Sequence, residues 1–433
     1  MAAGKFQKTV RKDGLRIVTE TMPGQRSLAL GIWFDVGSRY EPDPIAGASH
    51  FLEHMVFKGT PTRNAREIAL YLERLGGVLN AFTTREHTCY HARVLDEHLP
   101  EAVSLLSDIS TRATLPPHEV VKERGVICEE IKDVEDTPNE AVHDLFTASL
   151  WPNHPVGRPI MGSIQTVSAM TKGALAAYRK KYYTADRVVV AASGGLTHEK
   201  VCKLVDKHLK LPASNGNLDA VSPNGIVPRR AIGQRDIKQT HVVLGMPTWP
   251  FADSRRYALL IGNNLLGGGM SSRLFQTVRE KRGLVYSIFA FHDSLRDTGH
   301  FAVYFACDPT QTVHATDLVL REIGRLASTP IPSKELSDVK SQLKGNLVLG
   351  LESTQSRMHR LARHELYLGR HIPPESTMKS IDGVRASDVM TMARDAFTED
   401  ALALSIIGPV TEDILGQVRW DNLAPRRSKR PTK

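Results

Sequence analysis

Apolar positions along this chain recur with two periods, and the switches between them mark its elements. Over residues 10–20, Asp13-Gly14 makes a turn and Leu15, Ile17 and Thr19 alternate, a hairpin pattern. Residues 27–36 (SLALGIWFDV) read as a further strand. After Pro42-Asp43-Pro44 a helical pattern covers about 47–58 and stops at Gly59 and Pro61. Helices fit 65–75 and 99–113, with two strands across 78–95 between them. Pro116-Pro117 precede another helix over 119–134, whose stripe is Val120, Val121, Ile127, Ile131 and Val134.

Near residue 212 the pattern breaks. Residues 211–230 (LPASNGNLDAVSPNGIVPRR) are rich in Pro, Asn, Gly and Ser and read as a linker. Then the order restarts: a strand at 239–246, a turn at 249–253, a helix at 255–266, two strands over 287–308 and a long helix at 333–349. Mixed strands and helices in two similar halves predict an α+β class, each half an antiparallel sheet packed with helices. The expected domains are 1–212 and 232–433, joined by 213–231. A length of 433 alone suggests about three domains; the repeat replaces that with two larger ones.

Composition narrows the partners. Hydrophobic residues at 41% and charged residues at 24% are ordinary for a globular chain and exclude disorder as the main state. The longest apolar runs, 188–192 and 401–407 with a Ser inside it, fall far short of the ~20 residues that span a bilayer. The net charge of +9 is partly local, since residues 426–433 carry five positive charges; without interleaved aromatics that segment reads as a solvated tail rather than a nucleic-acid arm. Cys89, Cys128, Cys202 and Cys307 are scattered with no CxxC pair, so no disulfide framework is expected and a reducing compartment is the default. With no secretory h-region near residue 1, the expected location is the cytoplasm.

The sharpest chemical signal is His50-Phe51-Leu52-Glu53-His54. On a helix, His50 and His54 share one face and can grip one Zn²⁺. Glu53 sits beside that face without ligating, as suits a general base that takes a proton from metal-bound water. This is the HxxEH order, the inverse of HExxH. Catalytic zinc usually takes three protein ligands. The helix at 119–134 offers Glu123 and Glu130, seven residues apart on one face, and Glu129 about 100° away from Glu130. One ligand plus one supporting carboxylate is the reading this spacing suggests.

Longer stretches carry a resemblance. GASHFLEHMVFKGT, GGVLNAFTTREHTCYHARVL, ERGVICEEI and LGGGMSSRLFQTVREKRGLVYSI resemble the inverzincin peptidases of the pitrilysin family, most of all the mitochondrial processing peptidase β-subunit type and its bacterial single-gene relatives. The likeness runs over nearly the whole chain. It implies that His50, His54 and Glu130 bind one zinc ion per chain, that Glu53 is the base and that Glu123 supports the ligands. It also implies that Arg279 and Tyr286 hydrogen-bond to substrate and to developing oxyanion charge. Asn80, Ala81 and Phe82 match an edge strand that holds substrate backbone. Glu140 and Asp144 match acidic positions that receive a presequence arginine, although at i and i+4 they equally suit a solvated helix face.

The resemblance implies a metalloendopeptidase for unfolded peptides, working as a homodimer that forms a clamshell chamber. The second half has no HxxEH; its helix reads Ala258-Leu259-Leu260-Ile261-Gly262-Asn263-Asn264, as an inactive copy would. A scaffolding subunit of the same fold is the rival reading, and such subunits typically lose the metal motif, which is intact here.

Overall fold

The computed structural model describes residues 4–214, 216 and 220–423. The basic segment 426–433 and part of the expected linker lie outside the described residues. Contacts gather into two units: Met1–Lys132 with Arg158–Val221 and Val348–Ile372, and Asp133–Gly157 with Ser222–Leu347 and Pro373–Lys433. The expected domains were continuous halves; each contact unit instead takes in a piece from the other half of the chain.

The first unit holds six strands: β1 (Lys5–Val10), β2 (Arg16–Thr21), β3 (Ser27–Phe34), β4 (Val78–Thr83), β5 (Thr88–Leu95) and β6 (Val188–Gly194). They lie in the order β1-β2-β6-β3-β5-β4. The second unit holds β7 (Arg230–Gln234), β8 (Thr240–Thr248), β9 (Val285–Ser294), β10 (Gly299–Cys307) and β11 (Ala403–Gly408), in the order β7-β11-β8-β10-β9. Read from β2 and from β7, the two orders are the same. The repeat seen in the sequence is thus a repeat of topology.

Each sheet is mixed rather than purely antiparallel. β2 pairs parallel with β6, and β7 with β11. In each unit the last strand returns after a long series of helices, and a crossover of that length can deliver a parallel neighbour.

Strands β3 and β6 are buried on both faces, which is why their sequences run apolar rather than alternating. Leu28, Leu30, Ile32 and Phe34 join Val188, Val190 and Ala192 in the main core of the first unit, under the helices Ala48–Met55 and Leu99–Arg112. Ala29, Trp33, Val189 and Ala191 face the other way, onto Met358, Leu361, Ala362 and Leu366 of the helix Thr354–Leu368. Trp33 Nε1 donates to Met358 Sδ at 3.3 Å. A Cβ at Gly31 would lie 2.6 Å from Trp33 Nε1 and 2.8 Å from that sulfur, so a larger residue there would have to displace this contact. Lys8 pairs with buried Glu365 at 2.8 Å, and Arg357 with Glu20.

The second sheet repeats this arrangement. Val242, Leu244, Phe301, Val303, Leu404 and Ile406 face its main core. Val243, Ala302, Tyr304 and Ile407 face Val142, Phe146 and Leu150 of the helix Pro138–Leu150. Each unit's sheet is therefore closed by a helix drawn from the opposite half of the sequence. Among the described residues no helix is long and apolar enough to cross a membrane.

Candidate metal centre

The ligand helix Ala48–Met55 begins at Gly47, whose φ of +96° is left-handed and suits glycine. Its free N-terminal amides have no local side-chain cap. Instead Glu41, 4% exposed, accepts from Gly47 N and Ser49 N at 2.6 Å each. Burial pushes the Glu41 carboxyl up to about 7, against the pull of those hydrogen bonds and of Arg158. Ser49 Oγ also hydrogen-bonds with Tyr178 OH at 2.8 Å. The helix is thus anchored at its start before any metal is considered.

One turn apart on this helix, His50 and His54 bring their rings to 4.7 Å between centroids. The long helix Pro117–Asp136 supplies the third group. Glu130 Oε2 lies 3.8 Å from His50 Nε2 and 3.6 Å from His54 Nε2. Among the described residues, these three form the one set of His, Cys, Asp or Glu whose ligand atoms all lie within 4.8 Å of one another. Tetrahedral zinc with bonds of ~2.0–2.1 Å separates its ligand atoms by roughly 3.4 Å. Glu130 Oε2 and His50 Nδ1 are shielded from solvent and have no hydrogen-bond partner. A buried carboxylate oxygen left between two imidazoles is costly unless something positive takes it. The donor set and its spacing fit a zinc ion.

The surroundings favour the ligating forms. Burial, with the neighbouring His54 charge, lowers the His50 pKa to about 4, so this imidazole is neutral at pH 7. Glu123 Oε2 lies 3.1 Å from His54 Nδ1, which leaves Nε2 free on the side of Glu130. Burial alone would raise the Glu123 pKa; the Lys58 and His54 hydrogen bonds outweigh it and hold the carboxyl below its usual range. Glu129 points away and pairs with Lys132 at 2.7 Å. Of the two adjacent glutamates, Glu130 is the one at the site.

Glu53 Oε2 is likewise shielded and without a partner. Burial raises its pKa, with Glu130 adding to the rise and the Thr83 hydroxyl and His54 opposing it. Thr83 ends β4, the edge strand of the first sheet. Sequence reasoning did not single out Thr83 or Lys58, although Lys58 stands within the same conspicuous HFLEHMVFKGT stretch.

Asn80, Ala81 and Phe82 lie in β4, whose outer side has no strand neighbour among the described residues. Thr84 N donates to His87 O at 2.8 Å. Counting back from that bonded pair, antiparallel alternation turns the backbone groups of Thr83, Ala81 and Leu79 to the free edge. The Ala81 amide is met there by Asn80 Oδ1 at 2.8 Å. Phe82 projects to the opposite face of the sheet, packing edge-on to Trp33 at 5.3 Å.

The remaining candidates belong to the second unit. Arg279 sits in a π-helical turn, Phe275–Glu280, an irregularity frequent at functional positions. Its guanidinium lies 5.3 Å from the ring centre of Tyr286, which is 80% exposed at the start of β9. The two residues are thus a pair in space. Glu140 and Asp144 share the helix Pro138–Leu150, Glu140 exposed and Asp144 half-buried.

Comparison with known proteins gives the family and the fold. Residues 16–164 match the insulinase family of peptidases, family M16, and residues 169–343 match the family's inactive domain. The chain is 40% identical to an uncharacterized zinc protease of Bacillus subtilis, over 92% of this chain and 97% of that one. It is 41% identical to an uncharacterized zinc protease of Mycobacterium tuberculosis, over 93% of each. Among solved structures, a protease from Helicobacter pylori superposes with a TM-score of 0.88 at 22% identity, covering 94% of this chain and 100% of that one. A peptidase M16 inactive domain from Pseudomonas fluorescens gives 0.86 at 20% identity, over 94% and 99%. At such identities these two establish the fold.

Proposed function

The chain belongs to peptidase family M16, and from that premise we propose that it is a zinc-dependent endopeptidase acting on unfolded peptides or presequence-like segments. The observation that carries this reading is the His50–His54–Glu130 set, with Glu123 behind His54 and an unpartnered Glu53 beside it. A zinc ion held by those three residues would supply a Lewis acid for the scissile carbonyl and for water.

The chain's own residues do the rest. Glu53 takes the proton of the attacking water at its free oxygen and returns it to the departing amine. Its raised pKa brings it closer to the working pH, where a general base is most effective. Glu123 keeps His54 in one orientation. The outward amide and carbonyl of Ala81 hold substrate backbone as an added strand, once the Asn80 side chain gives up the amide. Arg279 and Tyr286, both donors, stabilise oxyanion charge. Glu140 and Asp144 favour a basic residue in the substrate. The working form in this proposal is a homodimer; full activity from a species that sediments as a monomer would remove that element.

The test is Glu53→Gln. The variant should keep its zinc and lose about 10²–10⁴-fold in peptide hydrolysis. Cleavage at the wild-type rate by a zinc-loaded Glu53→Gln protein would overturn the assignment. Cleavage-site profiling on a mixed peptide library, with a chelator control, checks the substrate class. Enrichment of Arg two residues before the cut supports the Glu140 and Asp144 role.

A further inference from the structure

We propose that Lys58 is a positioning residue for the metal centre, acting through Glu123; the inference rests on the zinc reading above. Lys58 ends the short 3₁₀ turn Val56–Lys58 that prolongs the ligand helix. The next residue, Gly59, has a φ of +132°, and its carbonyl accepts from both Thr114 N at 3.0 Å and Thr114 Oγ1 at 3.1 Å. The backbone after Lys58 is thereby tied to the segment that enters the long helix at Pro117. From that fixed point Lys58 Nζ reaches Glu123 Oε1 at 2.7 Å. The other oxygen of the same carboxylate meets His54 Nδ1 at 3.1 Å.

These contacts close a ring. It runs from His54 through the ligand helix to Lys58, across to Glu123 and back to His54. Glu123 stands two turns before Glu130 on one face of the long helix, so the ring also sets how far Glu130 sits from the two histidines. The carboxylate is 4% exposed and the lysine 24%. In that setting a carboxylate with one oxygen unsatisfied turns or shifts to find a partner, and His54 loses its fixed support. A lysine gives a point charge on a long stem, enough to hold one oxygen and leave the other aimed at the imidazole. The Lys58–Glu123 contact therefore preforms the ligand triangle.

The experiment measures zinc affinity by competition with a chelating dye, and the melting temperature of the zinc-free protein. The set is wild type, Lys58→Met, Lys58→Arg, Glu123→Gln and the double variant Lys58→Met/Glu123→Gln. Lys58→Met should bind zinc about 10–100-fold more weakly, the range for loss of a group that supports a ligand. Lys58→Arg should recover most of that loss. The double variant should bind no more weakly than Glu123→Gln alone, because the lysine works through that carboxylate. The zinc-free Lys58→Met protein should still melt cooperatively, at a temperature somewhat below the wild type because a shielded carboxylate has lost its cation. Wild-type zinc affinity in Lys58→Met overturns the proposal. So does a double variant that loses the product of both single effects, or a zinc-free Lys58→Met protein with no cooperative melting transition. A wild-type protein that binds no zinc removes the zinc reading itself, and is told apart from failure of the lysine by that first measurement.

Discussion

The same helix crossing occurs in both units, and the two versions differ in chemistry. In the first unit the helix after β3 meets the long helix Pro117–Asp136 through His50, His54, Glu123 and Glu130. In the second, the helix after β8 (Arg256–Gly267) meets the long helix Ser333–Gly350 through Asn264, whose Nδ2 donates to Gln342 Oε1 at 3.1 Å. The side-chain hydrogen bond between those two helices is one between neutral amides. The first unit holds the crossing with titratable groups and leaves Glu130 Oε2, Glu53 Oε2 and His50 Nδ1 unpartnered. That arrangement is poor for stability alone and good for binding a cation. The comparison separates what the fold needs at this place from what the chemistry needs.

The largest effect is expected from separating the halves. Residues 1–221 alone lack the helix Thr354–Leu368, so Trp33, Val189 and Ala191 would face water. At about 1.5–3 kcal/mol for each large apolar side chain uncovered, the loss reaches the size of a typical domain's whole stability. The isolated fragment should show no sharp thermal transition, and adding a peptide of residues 348–372 should restore one. A cooperative transition in the fragment by itself would contradict the mutual dependence of the halves.

A smaller effect is expected at Glu41, which serves the ligand helix and has no part in the second unit's version. Its carboxyl goes from an ordinary 4.5 to about 7 on folding. The folded state therefore binds this proton more tightly than the unfolded state, and stability falls as pH rises from about 4.5 to about 7. At full burial this is worth about 3 kcal/mol. Glu41→Gln should flatten that part of the pH–stability curve, measured by denaturant unfolding of the zinc-free protein. An unchanged slope would show that Glu41 is ionised throughout. The smallest effect is expected from Asn264→Ala, about 1 kcal/mol for one net hydrogen bond, with zinc content untouched.

Much of this was legible in the sequence for physical reasons. β3 and β8 were legible as strands at 27–36 and 239–246 because both faces of each are buried and apolar residues dominate them. The zinc pair is legible because i, i+4 spacing on a helix leaves little freedom. The choice between Glu129 and Glu130 was not local: the phase of the long helix relative to His54 decides it. The parallel pairings and the exchange of the helices Pro138–Leu150 and Thr354–Leu368 could not be read. Nothing in an amphipathic helix says which of two similar sheets it will cover. Lys58 was missed because a lysine after a helix reads as a solvated end, and only the fold shows the carboxylate it reaches.

The most direct test of the account is metal analysis of the purified chain beside Glu130→Ala and Asn264→Ala. One zinc ion per chain is expected for the wild type and for Asn264→Ala, and close to none for Glu130→Ala. Retention of a full equivalent of zinc by Glu130→Ala would contradict the assignment of the first unit's crossing as the metal centre.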